Sequence, residues 1–299
     1  MTPAKKAFIQ LMIVLLIWAS SFTITRSVVK DVPPILFALL RYSVASIVMV
    51  SIYYSQRSKI KPPATKMHGQ VLLMALTGIS LYYIFFNISL AHTEASVGAL
   101  IQGFIPVVVM ILAYVFLKEK ISLRQVFGSI ICLAGVILIG FISPGKSGGN
   151  SLFGNLLMIA AVICWAVYTI LSKRVAETDS IWLTTRLTVI GTVLLLPAVL
   201  IEMWHQPLPR IGAIGWAAII YMGIFPSAIS YLWYNNALKH ISATRVGLFL
   251  NLDPVFGAIL AVVVLNEPLY SLQIVGAVLV FAGILLSSSG KRVPDPQQQ

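Results

Sequence analysis

Asp253 is the one acidic side chain near the middle of an apolar run in this 299-residue sequence, and Pro254 follows it directly. A carboxyl at the centre of a membrane helix costs about 2.5–3.5 kcal/mol on insertion scales, so it is expected to face a cavity or a polar partner. There it can bond the ammonium of a substrate when ionised, or carry a proton when the site is empty. The plainer alternative is an acid bonded to neighbouring backbone. Arg41 and Arg186 enter two other apolar runs at similar depth, as gates, as binders of a substrate carboxylate, or as cations snorkelling to the interface. Trp18 with Ser21 and Trp165 with Tyr168 each put an aromatic and a polar group on one helix face. Gln102 and Asn251 add amides at mid-depth, which either orient a ligand or join helices. Together with Asp253, these six residues are the expected substrate-binding set. Pro106 and Pro254 fall near the middle of their runs. A proline there removes a backbone hydrogen bond, which marks either a broken helix lining a cavity or a packing kink.

The elements that must position these residues follow from composition. Hydrophobic residues make up 59% of the chain and charged residues 10%, with mean hydropathy +0.93. Soluble domains carry about 25% charged residues. The chain therefore reads as an all-α integral membrane protein. At roughly 20 apolar residues per crossing, it divides into ten expected spans: 7–28, 34–54, 70–90, 95–117, 122–142, 152–172, 181–203, 212–236, 242–265 and 270–289.

The net charge of +12 could suggest a nucleic-acid partner, but the basic residues are scattered over short gaps and form no concentrated face. Alternate gaps hold 15 of the 21 Lys and Arg on the side of the N-terminus and four on the other. The positive-inside rule then puts both termini in the cytoplasm.

Shifting the sequence by 148 residues aligns Tyr83 with Tyr231, Asn87 with Asn235, His92 with His240 and Pro106 with Pro254. The same shift aligns Glu119 with Glu267, Gln125 with Gln273, Gly128 with Gly276 and Gly135 with Gly283. Apolar helices match by chance at Leu and Val, but not at Pro, Glu and Gly in one register. The two repeats, 7–142 and 152–289, hold five expected spans each. An odd number inverts the second copy, and inverted repeats give alternating access a structural basis. Glu119 and Glu267 are expected to be structural, capping or bracing the turn into the next helix, and His92 and His240 to lie at the interface. The four glycines should permit close helix contact, within the chain or along a dimer seam.

The pattern Trp18-Ala-Ser-Ser-Phe22, Leu40-Arg41, Pro106, Leu117-Lys-Glu119 and Gln125-Val-Phe-Gly128 resembles the EamA family of the drug/metabolite transporter superfamily. The second copy runs Trp165-Ala166, Arg186, Asn251-Leu-Asp-Pro254, Leu265-Asn-Glu267 and Gln273-Ile-Val-Gly276. The resemblance covers nearly the whole chain. It implies a ten-helix fold of two inverted five-helix repeats, and export of amino acids or other small metabolites across the bacterial inner membrane. One departure stands out: Asp253 precedes the second proline where Ile105 precedes the first, so the halves are not chemically equivalent.

The sequence has no HExxH helix; Gly140-Phe-Ile-Ser-Pro-Gly145-Lys-Ser147 and Gly145-Lys-Ser-Gly-Gly149 match the phosphate-loop and nucleophile-elbow spacings, but they sit in a gap between two apolar runs where no strand is expected. It is read as a secondary transporter and not an enzyme, with no cofactor and no metal. Its expected partners are a small-molecule substrate, the lipid bilayer and protons, with the chain acting as a monomer or homodimer. Two rival readings are a nucleotide-sugar or sugar-phosphate carrier and a membrane-embedded lipid-modifying enzyme. The first would want several cations in the cavity, where only Arg41 and Arg186 are on offer. The second would want clustered acids or histidines.

Overall fold

The computed structural model describes residues 2–60, 62–63, 67–93, 98, 101–141, 152–204, 207–253, 255–256 and 271–288. Pro254, Glu267, the end of the ninth expected span and both chain ends lie outside the described residues. The helical segments are α1 Pro3–Val28, α2 Pro34–Ser55, α3 His68–His92, α4 Ile105–Leu117 and α5 Leu123–Phe141. They continue as α6 Leu152–Arg174, α7 Ser180–Met203, α8 Ala213–His240, α9 Ala243–Phe249 and α10 Ser271–Ser288. No strand occurs among the described residues. Six helices (α1, α2, α3, α6, α7 and α8) are long and apolar enough to cross a bilayer, while α4, α5 and α10 contain shorter apolar stretches. Ile47, Phe127, Ile163 and Leu200 face outward and exposed, as expected where lipid is the solvent and the backbone must satisfy its own hydrogen bonds.

Local chemistry sets the helix starts. The Asp179 carboxylate caps α7 by accepting from the backbone N–H of Ile181 at 2.8 Å and Trp182 at 3.1 Å. Helix α2 begins with Pro34 and has no cap of its own. Glu202, at the end of α7, fills that role by accepting from the N–H of Ile35 and Leu36, the latter at 2.8 Å. A carboxylate is favourable at the positive end of a helix.

The packing is symmetric under exchange of the halves. Helix α2 packs on α7, α4 on α9 and α5 on α10, while the pair α3 with α6 is matched by α8 with α1. At the α5–α10 seam, a Cβ added at Gly283 would lie 2.6 Å from the Gly128 carbonyl oxygen. One added at Gly135 would lie 2.5 Å from that of Gly276. The 148-residue shift exchanges these two contacts, and the helices run antiparallel. Cys132 donates its thiol to the carbonyl of Val280, its own equivalent, at 3.4 Å. A residue that touches its equivalent lies on a local two-fold axis, here crossing the helices. The glycines therefore meet within the chain.

Three helices carry π-helical segments among the described residues: Ala113–Leu117 in α4 and, at equivalent places, Leu76–Leu81 in α3 and Gly223–Ile229 in α8. The wider turn frees carbonyls for side-chain donors, as is common at functional sites.

Candidate functional site

Helix α4 is broken. Gly103 and Phe104 form a turn, and the helix resumes at Ile105 with Pro106 in its first turn, where a missing N–H costs nothing. The break therefore precedes the proline. The second half breaks at the matching place, with a turn at Leu250 and Asn251 after α9.

A cavity opens beside the two breaks, enclosing about 650 Å3 of unfilled space, mouth included. The first break contributes Gln102, Gly103 and Ile105 to its wall, and the second contributes Leu250 and Asp253. Trp18 and Ser21 of α1, Arg41 of α2, Tyr82, Tyr83 and Phe86 of α3, and Trp165 of α6 complete it. Gln102 and Leu250 are repeat equivalents, as are Ile105 and Asp253, and Trp18 and Trp165. The cavity thus straddles the exchange axis, with an acid supplied by only one half.

Of the sequence-predicted set, the structure gathers Trp18, Ser21, Arg41, Gln102, Trp165 and Asp253. Trp18 and Trp165 meet edge to face with ring centroids 5.2 Å apart. The Gln102 amide donates to the Tyr82 hydroxyl at 3.0 Å. Asp253 Oδ1 is buried without a hydrogen-bond partner. Tyr168 lies behind the wall, its ring tilted 50° to that of Trp165 with centroids 5.2 Å apart, and donates to Asn235 Oδ1 at 2.7 Å. Asn251 is buried beside the second break with its Oδ1 unpartnered, and does not line the cavity. Arg186 is exposed, its guanidinium 5.6 Å from the Trp182 ring centroid. The two arginines, alike in sequence, have opposite surroundings. His92 and His240 are exposed. Among the described residues no three His, Cys, Asp or Glu side chains cluster as a metal site would require.

Sequence reasoning missed Tyr82, Tyr83 and Phe86. Their one available signal was an aromatic at the repeat-matched position 83, with neighbours at helical spacing. It also missed the reach of Glu119. The chain turns at Lys118, which takes a left-handed conformation with φ 54°. Beyond it the Glu119 carboxylate accepts from the N–H of Ala243 at 3.0 Å and from the Thr244 hydroxyl at 2.6 Å. Glu119 is structural and a cap, as expected, but the helix it caps is α9 of the other half. Nearby, Phe8 packs on Phe249 with centroids 5.3 Å apart, and Lys173 donates to the Leu238 carbonyl at 2.9 Å. These contacts close the end of the bundle where α1 begins.

The symmetry is also broken inside. Gly78 and Pro226, equivalent residues of the π-helical segments in α3 and α8, each offer a free carbonyl. Tyr231 donates its hydroxyl to Gly78, and Trp18 Nε1 donates to Pro226 at 3.0 Å. Trp165, the equivalent of Trp18, has a buried Nε1 without a partner.

The model of the EamA-like transporter family matches residues 5–141 and 152–289. An uncharacterized transporter, YyaM of Bacillus subtilis, is 32% identical over 279 residues, covering 92% of this chain and 91% of that one. A probable terminal-alkyne amino-acid exporter of Streptantibioticus cattleyicolor is 27% identical, covering 94% of this chain and 93% of its own. A solved structure, described as a crystal structure of protein, superposes with TM-score 0.79 at 19% identity over 95% of this chain and 96% of that one. At that identity the likeness speaks for the fold.

Proposed function

Because the chain belongs to the EamA-like transporter family, we propose that it is a secondary transporter exporting an amino acid or similar small metabolite by alternating access. The observation that carries this reading is a cavity to which equivalent positions of both halves contribute, with Arg41, whose two terminal nitrogens are unpartnered, and Asp253, whose Oδ1 is unpartnered, on its wall. One cation and one acid suit a low-charge solute. A sugar phosphate would bring two or more negative charges to one arginine. A lipid-modifying enzyme would want histidines or paired acids, and Asp253 is the one such residue on the wall. The relative named as an amino-acid exporter favours the same cargo.

In this reading 7–142 and 152–289 are inverted five-span repeats, ten spans in all, in the bacterial inner membrane. The chain works as a monomer or homodimer in lipid, without nucleic acid. Both termini are cytoplasmic, so the Glu119 cap on α9 closes the cytoplasmic end. Inversion puts Lys118 inside and its equivalent segment at Pro268 outside. Membrane-impermeant maleimide applied to whole cells is expected to label a cysteine placed at Pro268 and to spare one at Lys118. Equal labelling of the two would end the inverted arrangement.

Exchange of the halves' conformations would hand the Gly78 carbonyl to Trp165, and free Trp18 from Pro226. Trp165→Phe keeps most of the ring and removes a donor that is idle in the present state. A net hydrogen bond contributes about 1 kcal/mol, so turnover in proteoliposomes should fall about fivefold with the fold intact. Wild-type turnover would refute the exchange. The reading as a whole is tested by loading proteoliposomes with each of the twenty amino acids and measuring counterflow; movement of none would overturn it.

A further inference from the structure

Arg41 is the one charged side chain fully buried among the described residues, 1% exposed. Taking a guanidinium out of water is costly unless its donors are bonded. Nε alone is bonded, donating to the Ser227 hydroxyl at 2.9 Å, while both terminal nitrogens lack partners. Ser227 belongs to the π-helical segment of α8 and donates in turn to the Met222 carbonyl at 2.8 Å. The hydroxyl is therefore fixed as an acceptor for Nε by the other half of the chain. The guanidinium carbon lies 4.4 Å from the Tyr83 ring centroid and 5.6 Å from that of Tyr42. Held at Nε and flanked by rings, the fork has one orientation, with its two terminal donors unused at the cavity wall. They bond no group, Asp253 included, so the cavity's two charges do not cancel each other.

A planar fork with two free N–H groups matches a carboxylate bidentately. Resting on the transport reading above, we propose that Arg41 binds the carboxylate of a zwitterionic ligand whose ammonium faces Asp253, and that Ser227 is the positioning residue of Arg41. The ligand is then held by opposite ends in opposite repeats, Arg41 from the first and Asp253 from the second. The aromatic wall of Trp18, Trp165 and Phe86 receives its side chain. The acid, the cation and the rings together admit amino acids, and disfavour the amines and amides made by removing or capping the carboxylate.

The test uses the full chain in nanodiscs. Thermal stabilisation is measured with each of the twenty amino acids, and the strongest binder is then compared with its decarboxylated amine and its amide by calorimetry. The wild type is expected to bind the acid at least tenfold more tightly than either analogue. Ser227→Ala should weaken the acid about tenfold and leave the amine unchanged, with Ser227→Thr restoring the difference. Arg41→Lys keeps a charge but loses the fork, and should abolish the preference for the acid. Stabilisation by none of the twenty would overturn the proposal. So would an acid-to-amine ratio that survives Arg41→Lys in folded protein, or an equal loss of acid and amine binding in Ser227→Ala. An amino acid bound with the expected pattern but not moved in counterflow would sink the transport reading and leave the binding site standing.

Discussion

Asp253→Asn is expected to insert and fold like the wild type and to lose at least about tenfold in transport, together with the pH dependence of what remains. Asparagine keeps the size and much of the hydrogen-bonding capacity of the acid, so the substitution separates charge from shape. Asp253 Oδ1 has no hydrogen-bond partner and lies two residues past the turn at Leu250 and Asn251. A structural acid would have its oxygens bonded, because an unmet buried acceptor costs about 1–3 kcal/mol. This one is left for something that comes and goes, an ammonium or a proton. The charged and titratable groups that share its cavity are Arg41, Tyr82 and Tyr83. Asp253 is the one carboxyl on the cavity wall, so pH-dependent transport near neutrality is assigned to the aspartate. Tenfold is about 1.4 kcal/mol, a modest value for a charge at such depth. Proteoliposomes with matched protein content, assayed from pH 5.5 to 8.5, make the measurement. Wild-type rates with a wild-type pH profile would reduce Asp253 to a structural residue.

Gly135→Val and Gly283→Val, made singly, should each lower the thermal unfolding midpoint in detergent by several degrees, and together should prevent accumulation of folded protein. The first carbon added at either position would sit 2.5–2.6 Å from a backbone oxygen of the facing helix. Backbone cannot swing aside as a side chain can, so α5 and α10 must separate along their length. Overpacking costs about 1–3 kcal/mol per site even where neighbours can adjust. In a membrane, helices gain little from burying apolar surface and depend on close approach at small residues. Gly69, with nothing within 4 Å of the added carbon, is the control: Gly69→Ala should leave the midpoint unchanged. A midpoint unaffected by Val at Gly135 or Gly283 would mean that the seam does not hold the fold together.

The sequence by itself determined where the helices run and that the chain repeats. Apolar runs become helices because a bilayer leaves the backbone no other hydrogen-bond partner. Hydropathy alone therefore places α2, α6 and α7 within a few residues of where they lie. The repeat register is equally legible, since Pro, Glu and Gly do not align by chance, and it pointed to paired breaks and to glycines in close contact. Trp18, Trp165, Gln102 and Asp253, which line one cavity, were legible as a cluster because polar and aromatic groups at mid-depth have few other uses.

Only the tertiary structure decided which way those helices turn. Arg41 and Arg186 have the same type and similar depth, yet one lies against the Tyr83 ring on the cavity wall and the other is exposed over Trp182. Helix rotation is set by what packs against each face, and no hydropathy window records it. The same holds for Tyr168, which was expected in the substrate-binding set beside Trp165 but turns away to bond Asn235. The π-helical segments that free the Gly78 and Pro226 carbonyls, and the reach of Glu119 to the start of α9, join residues more than 100 positions apart. Such contacts exist only after the halves have docked. The repeat makes the two halves equivalent in chain, and their docking makes them unequal in chemistry, with the cation delivered by one and the acid by the other.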